Sequence, residues 1–91
     1  MNHLDKMMEN SDFRAEVILQ ELYMDLAQSV QAIRMSRGLN QADLAKLVGT
    51  TQSGVSRFEN LSQCSFTLRS LARFADALNC ELKVSLVPKD G

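Results

Sequence analysis

The strongest constraint on this chain is a spacing of three residues between positions 41 and 55. Counted from Gln41, Ala45 is fifth, Gly49 ninth and Val55 fifteenth. Two short helices that cross at close range need a small side chain where their backbones approach, at the fifth position. They need a residue tolerant of positive φ where the chain turns, at the ninth, and a β-branched apolar residue at the fifteenth to fill the angle between them. All three requirements are met. Leu44, Val48 and Phe58, with Ile33 from a preceding helix, complete the expected core of this unit.

Outward from that pair, capping residues set the other boundaries. Asn10-Ser11-Asp12 offers side-chain oxygens for a helix start, nothing from Phe13 to Arg37 breaks a helix, and Gly38 supplies a left-handed stop. Leu19, Leu22, Leu26, Val30 and Ile33 recur at three- and four-residue steps as one apolar stripe. This stretch reads equally as one long helix or as two joined near Tyr23 to Asp25. Asn40 can cap a helix from Gln41 to Val48, and Gly49-Thr50-Thr51 closes it and caps the next, Gln52 to Asn60. Leu61 to Phe66 reads as a polar loop. Thr67 then caps Leu68 to Leu78, with Phe66 and Leu71 spaced as a hydrophobic staple and Asn79 as the stop.

The last segment changes period. In residues 81–87 the side chains of Leu82, Val84 and Leu86 alternate with Glu81, Lys83 and Ser85, which is the twofold repeat of a strand, closed by Pro88. One strand leaves its backbone groups unpaired, and no second strand is evident in the chain. Pairing with the same strand of a second copy, as an antiparallel ribbon about a twofold axis, is the economical expectation. The organisation expected is therefore an acidic N-terminal arm or helix over 1–25, a helical domain over 26–80 and a dimerisation strand over 81–88. The fold class is all-α: a compact helical bundle carrying a helix-turn-helix, with one short C-terminal β-strand.

Composition removes other classes. Ninety-one residues cannot hold two cores, and 45% hydrophobic residues suffice for one. Aromatic residues make up 5% and Trp is absent, so Leu, Val, Ile, Ala and Met are expected to fill the interior. No apolar run approaches the ~20 residues of a membrane span, and the N-terminus lacks the basic-then-apolar pattern of a signal peptide, so a cytoplasmic protein without membrane contact is expected. Cys64 and Cys80 lie 16 apart with a lone histidine, His3, so neither metal site nor redox pair has its parts, and two free thiols at least half-buried are expected. Ser53 and Ser56 have no histidine or other base to activate them. The chain is read as a non-enzyme without cofactor.

Residues 32–60, Ala32-Ile33-Arg34 through Gln41-Ala42-Asp43-Leu44-Ala45 to Val55-Ser56-Arg57-Phe58-Glu59-Asn60, resemble the Cro/phage-repressor (XRE) family of helix-turn-helix proteins. The likeness extends over about residues 26 to 78. It implies that the second helix of the pair enters the major groove of double-stranded DNA, with Gln52, Ser53 and Arg57 at base edges. Gln can pair bidentately with adenine and Arg with guanine, each worth roughly 1–3 kcal/mol of discrimination. The resemblance further implies phosphate contacts from Gln41, Thr51 and Asn60, which hold register without specifying sequence. It also implies a structural ion pair between Arg34 and Glu59. Gly54 departs from the larger residue usual in the family, either to admit a close backbone or thymine-methyl approach or with no effect. Ser56 could face phosphate or solvent.

The segment from Leu68 to Leu78, followed directly by a strand ending in Val87-Pro88, is similar to the antitoxins of the HigA and HipB kind, in which a repressor dimer also binds a toxin protein. Asp12-Phe13-Arg14-Ala15-Glu16 resembles the HigA arrangement more closely. The implied function is a sequence-specific repressor of a pseudo-palindromic operator, acting as a homodimer and as an antitoxin. A stand-alone phage-like or restriction-control regulator is the main alternative, and a helical interaction module that has lost DNA binding is a third. Charge distribution bears on this choice. Net charge is −1 for the whole chain, but residues 1–33 carry −4 and residues 34–75 carry +4, with −1 in the remainder. An acidic arm and a basic motif on one chain suit two different partners.

Overall fold

The computed structural model of the chain describes residues 6, 9–60 and 66–89. Four helices make up the described fold: α1 (Ser11–Ser36), α2 (Gln41–Val48), α3 (Gln52–Glu59) and α4 (Leu68–Ala77). The long N-terminal segment is one continuous helix. Asn10 starts it, its side chain accepting from the backbone N–H groups of Asp12 and Phe13 at 2.9 and 3.1 Å. It ends where the Arg37 N–H reaches the carbonyls of Ile33 and Arg34, and Gly38 turns at φ +69°. No glycine or proline interrupts the 26 residues, and nothing near Tyr23 forces a break.

The shorter helices are each bounded by a side chain. At α2 the Asn40 carboxamide accepts from the Asp43 N–H at 2.7 Å, while the Asp43 carboxylate accepts from the Asn40 N–H at 3.0 Å, a reciprocal capping box. Thr51 Oγ1 caps α3 through the Gly54 N–H at 3.0 Å, and Thr67 Oγ1 caps α4 through the Ser70 N–H at 3.1 Å. Gly49 takes φ +84° between α2 and α3, and Asn79 takes φ +53° after α4. A cation from outside the turn completes it: Arg73 on α4 donates to the carbonyls of Val48 and Gly49 at 3.1 and 3.4 Å, where the end of α2 carries negative partial charge.

Leu44, Val55 and Leu78 are fully buried at the centre, with Val30, Ala45, Phe58, Leu71 and Phe74 around them. Aromatic rings carry more of this core than the composition implies. Phe58 stacks on Phe66 and Phe74 with centroids 4.2 and 4.0 Å apart, and Tyr23 meets Phe66 edge-on at 4.9 Å. Four of the chain's five aromatic residues thus form one column joining α1, α3, α4 and the residue pair before α4. Met24 and Met35, expected to fill the interior, are exposed instead. Composition counts side chains but does not say which helix faces meet.

Only the part of α1 from Tyr23 onward joins this core. Its buried residues are Ala27, Val30 and Arg34, whereas Leu19 and Leu22 of the expected apolar stripe remain more than a third exposed. Residues 81–89 are neither helix nor strand in the single chain. Leu82 packs half-buried against the core, and Val84 and Leu86 are exposed. An isolated segment has no neighbour with which to form a ladder. Cys80 is a half-buried free thiol; Cys64, His3 and most of the expected polar loop, residues 61–65, lie outside the described residues.

Gly49→Ala and Gly38→Ala should each cost on the order of 1–2 kcal/mol from the left-handed backbone. Gly49→Ala should cost more, because its new Cβ would stand 3.3 Å from Arg73 Nη2, while nothing lies within 4 Å of the equivalent atom at Gly38. Urea unfolding of both variants measures the difference, and equal losses would show that Arg73 adjusts freely.

Candidate nucleic-acid interface

The interface is built on α3. Its turns place Val55, Phe58 and Glu59 inward, all buried. With about 100° between successive residues, Gln52, Ser56, Ser53 and Arg57 fall in that order within an arc of about 140° on the side opposite Val55 and Phe58, with Glu59 about 20° beyond its Gln52 edge, and all four are exposed. Ser56, ambiguous from the sequence, therefore belongs to the outward face. At the N-terminal end of α3, helix geometry leaves the first N–H groups without intrahelical acceptors, and the macrodipole favours anions there.

Gly54 stands apart from this arc. A Cβ added there would meet Thr50 Oγ1 at 2.6 Å and Thr51 Oγ1 at 3.4 Å. The close approach at Gly54 is made by the preceding turn of the same chain, which accounts for the small residue without a ligand.

Arg34, on α1, holds the other end of α3. Its Nε donates to Glu59 Oε2 at 2.8 Å and its Nη2 to Glu59 Oε1 at 3.0 Å, a two-bond guanidinium–carboxylate contact. The side chains are 10% and 3% exposed. The Arg34 guanidinium is held above its ordinary pKa, first by the hydrogen bond to Glu59, with burial opposing and the carboxylate charge adding to the rise. Its Nη1 donates to the Leu39 carbonyl at 2.8 Å, tying in the turn before α2. Gln41 joins the same group, its amide donating to Glu59 Oε1 at 3.2 Å. That link was not legible in the sequence, where the family resemblance implies a phosphate contact for Gln41.

The remaining sequence-selected residues sit around this frame. Thr51 is exposed at the start of α3, its oxygen occupied by the Gly54 N–H and its hydroxyl hydrogen able to donate outward. Asn60 is exposed at the C-cap of α3. Gln41 and Thr51 thus occupy the beginnings of α2 and α3, and Asn60 the far end of α3. Of the basic residues between 34 and 75, only Arg34 is buried; Arg37, Lys46, Arg57, Arg69 and Arg73 are exposed. The positive charge of the segment therefore lies on the surface. No described helix is long and apolar enough to cross a membrane, and no group of three or more potential metal ligands occurs among the described residues.

An outward polar helix face, an inward buried pair and a glycine turn between two short helices define a helix-turn-helix DNA-binding protein. A family model described as Helix-turn-helix matches residues 30–84, more than half of the chain. The chain belongs to this family, the Cro/C1-type (XRE) helix-turn-helix proteins, and is a DNA-binding transcription regulator.

Arg34→Met should destabilise the fold by about 3–5 kcal/mol, because it leaves the Glu59 carboxylate buried without its cation. Arg34→Met combined with Glu59→Leu should recover much of that loss. Thermal unfolding of the two variants against wild type gives the comparison, and a double variant as unstable as the single would show that the ion pair itself supplies net stability.

Proposed function

We propose that this regulator is a repressor that binds a pseudo-palindromic operator as a homodimer. Gln52, Ser53 and Arg57 read base edges, while Gln41, Thr51 and Asn60 hold phosphates. The observation carrying this reading is the exposed arc of α3, where the three proposed readers stand together opposite the buried face of the same helix. Gln and Arg supply the bidentate donors and acceptors that distinguish adenine and guanine. Homodimerisation is supported by residues 81–88, in which Leu82 is anchored on the core while Val84 and Leu86 are left in solvent beside unpaired backbone. A twofold dimer presents two recognition helices, so half-sites should lie about one helical turn apart.

The second part of the proposal is that the protein serves as the antitoxin of a toxin–antitoxin pair. Its support is the separation of chemistry along the chain. Residues 11–25 of α1 carry Asp12, Glu16, Glu21 and Asp25 with exposed Ile18, Leu19, Leu22 and Met24, a surface suited to a protein and unsuited to phosphate.

Gel retardation on the DNA upstream of the protein's own gene, across a salt series, tests operator binding. Affinity should fall steeply with log salt as neutralised phosphates release counterions. Arg57→Ala should relax preference at one base pair per half-site, by roughly 1–3 kcal/mol, whereas Gln41→Ala should weaken all sequences alike. Uniform loss in both variants would reject the assignment of readers, and no retardation at low salt by a verified dimer would reject DNA reading on this face. For the antitoxin role, the product of the adjacent gene should co-purify with the protein and lose its toxicity; a neighbour that encodes no small toxic protein would leave a stand-alone repressor.

A further inference from the structure

Between the N-terminal half of α1 and the start of α4 runs an apolar groove of about 110 Å³. Leu19, Leu22 and Leu26 line one side, Leu68 and Leu71 the other, and Val84 of the C-terminal segment stands at its edge. None of the described residues lining it carries a charge. The volume is well below the roughly 300–1,000 Å³ of small-molecule sites, and suits an aliphatic side chain.

The same chain displays such side chains without a seat. Leu86 is 101% exposed and Val87 80% exposed, a few residues beyond Val84. Because Val84 lines the groove, Leu86 and Val87 follow within a few residues of its edge, so groove and unseated side chains share one patch, as a closed twofold assembly requires. The area agrees. At their fractional exposures, Ile18, Leu19, Leu22 and Leu68 together with Val84, Leu86 and Val87 present on the order of 700 Å², against about 800 Å² per partner in a standard interface.

We propose that the groove is the seat of a second copy of this chain, whose Leu86 inserts between α1 and α4 while its own groove receives Leu86 in return. The inference rests on the homodimer proposed above and adds the place where the partner sits. In this arrangement the N-terminal half of α1, which has no buried residue in the single chain, becomes part of the dimer interface, and strand pairing is one component of a larger contact.

Light scattering on the full chain over a concentration series tests it, with helicity checked by circular dichroism. Wild type should be dimeric, and Leu22→Glu, Leu68→Glu and Leu86→Glu should each raise the dimer dissociation constant at least 100-fold. Met35→Glu, on an exposed position outside the groove, should leave it unchanged. Should a glutamate variant fail to fold, a second measurement decides: with Cys64 and Cys80 replaced by Ser, a mixture of Leu68→Cys and Leu86→Cys chains should form the mixed disulfide under mild oxidation. A monomeric wild type would overturn this proposal and the homodimer together. Dimers that survive both groove substitutions but are lost on deleting residues 81–91 would overturn the groove alone and leave the strand ribbon standing. Absence of the mixed disulfide in a verified dimer would likewise overturn the groove.

Discussion

The contact on which the geometry depends is the buried pair of Arg34 and Glu59. It joins the end of α1 to the end of α3, and through Leu39 and Gln41 it draws in the turn and helix between them. A planar guanidinium with two parallel bonds to one carboxylate admits little rotation, so the axis of α3 is oriented as well as attached. Such a pair repays little of its desolvation as net stability, and its contribution here is directional. With Val55 and Phe58 packed inward, helix geometry sends Gln52, Ser53, Ser56 and Arg57 outward as a group.

Packing and polar contacts reinforce each other around that frame. Phe58, one residue before Glu59, is one of the two inner rings of the aromatic column, so α3 is held on one side by stacking and at its end by charge. Arg73 holds the glycine turn from α4, and Thr51 holds the first turn of α3. Helix α3 has only eight residues, too few to be stable alone. It persists because three neighbouring elements fix its ends and its inner face.

The near-neutral net charge conceals a division of labour along the chain. The basic residues of the motif lie almost entirely on the surface, whereas Asp12, Glu16, Glu21 and Asp25 are spread along the first fifteen residues of α1, where no residue is buried. An acidic surface next to bound DNA would repel phosphate, so a helix that projects beyond the core keeps the two kinds of surface apart. Ile18, Leu19 and Leu22 on that projecting part stay exposed, and they are the surface on which the proposed protein partners would bear.

Local chemistry by itself determined the helix boundaries, because caps and stops are decided within four residues: Asn10, Asn40, Thr51 and Thr67 start helices, and Gly38, Gly49 and Asn79 follow them, where the sequence placed them. It also determined the class of protein, through the spacing of Ala45, Gly49 and Val55 and the polar residues of α3. Other features depended on side chains far apart in the chain. Whether residues 11–36 formed one helix, the aromatic column, the hydrogen bond from Gln41 to Glu59, the role of Arg73 and the contact between Gly54 and Thr50 were decided only by the tertiary structure. Periodicity shows which side of a helix is apolar; which neighbour covers it, and how much of it stays bare, depends on how the helices cross. That is why Leu19 and Leu22, indistinguishable by pattern from Leu26 and Val30, belong to an open groove and not to the core.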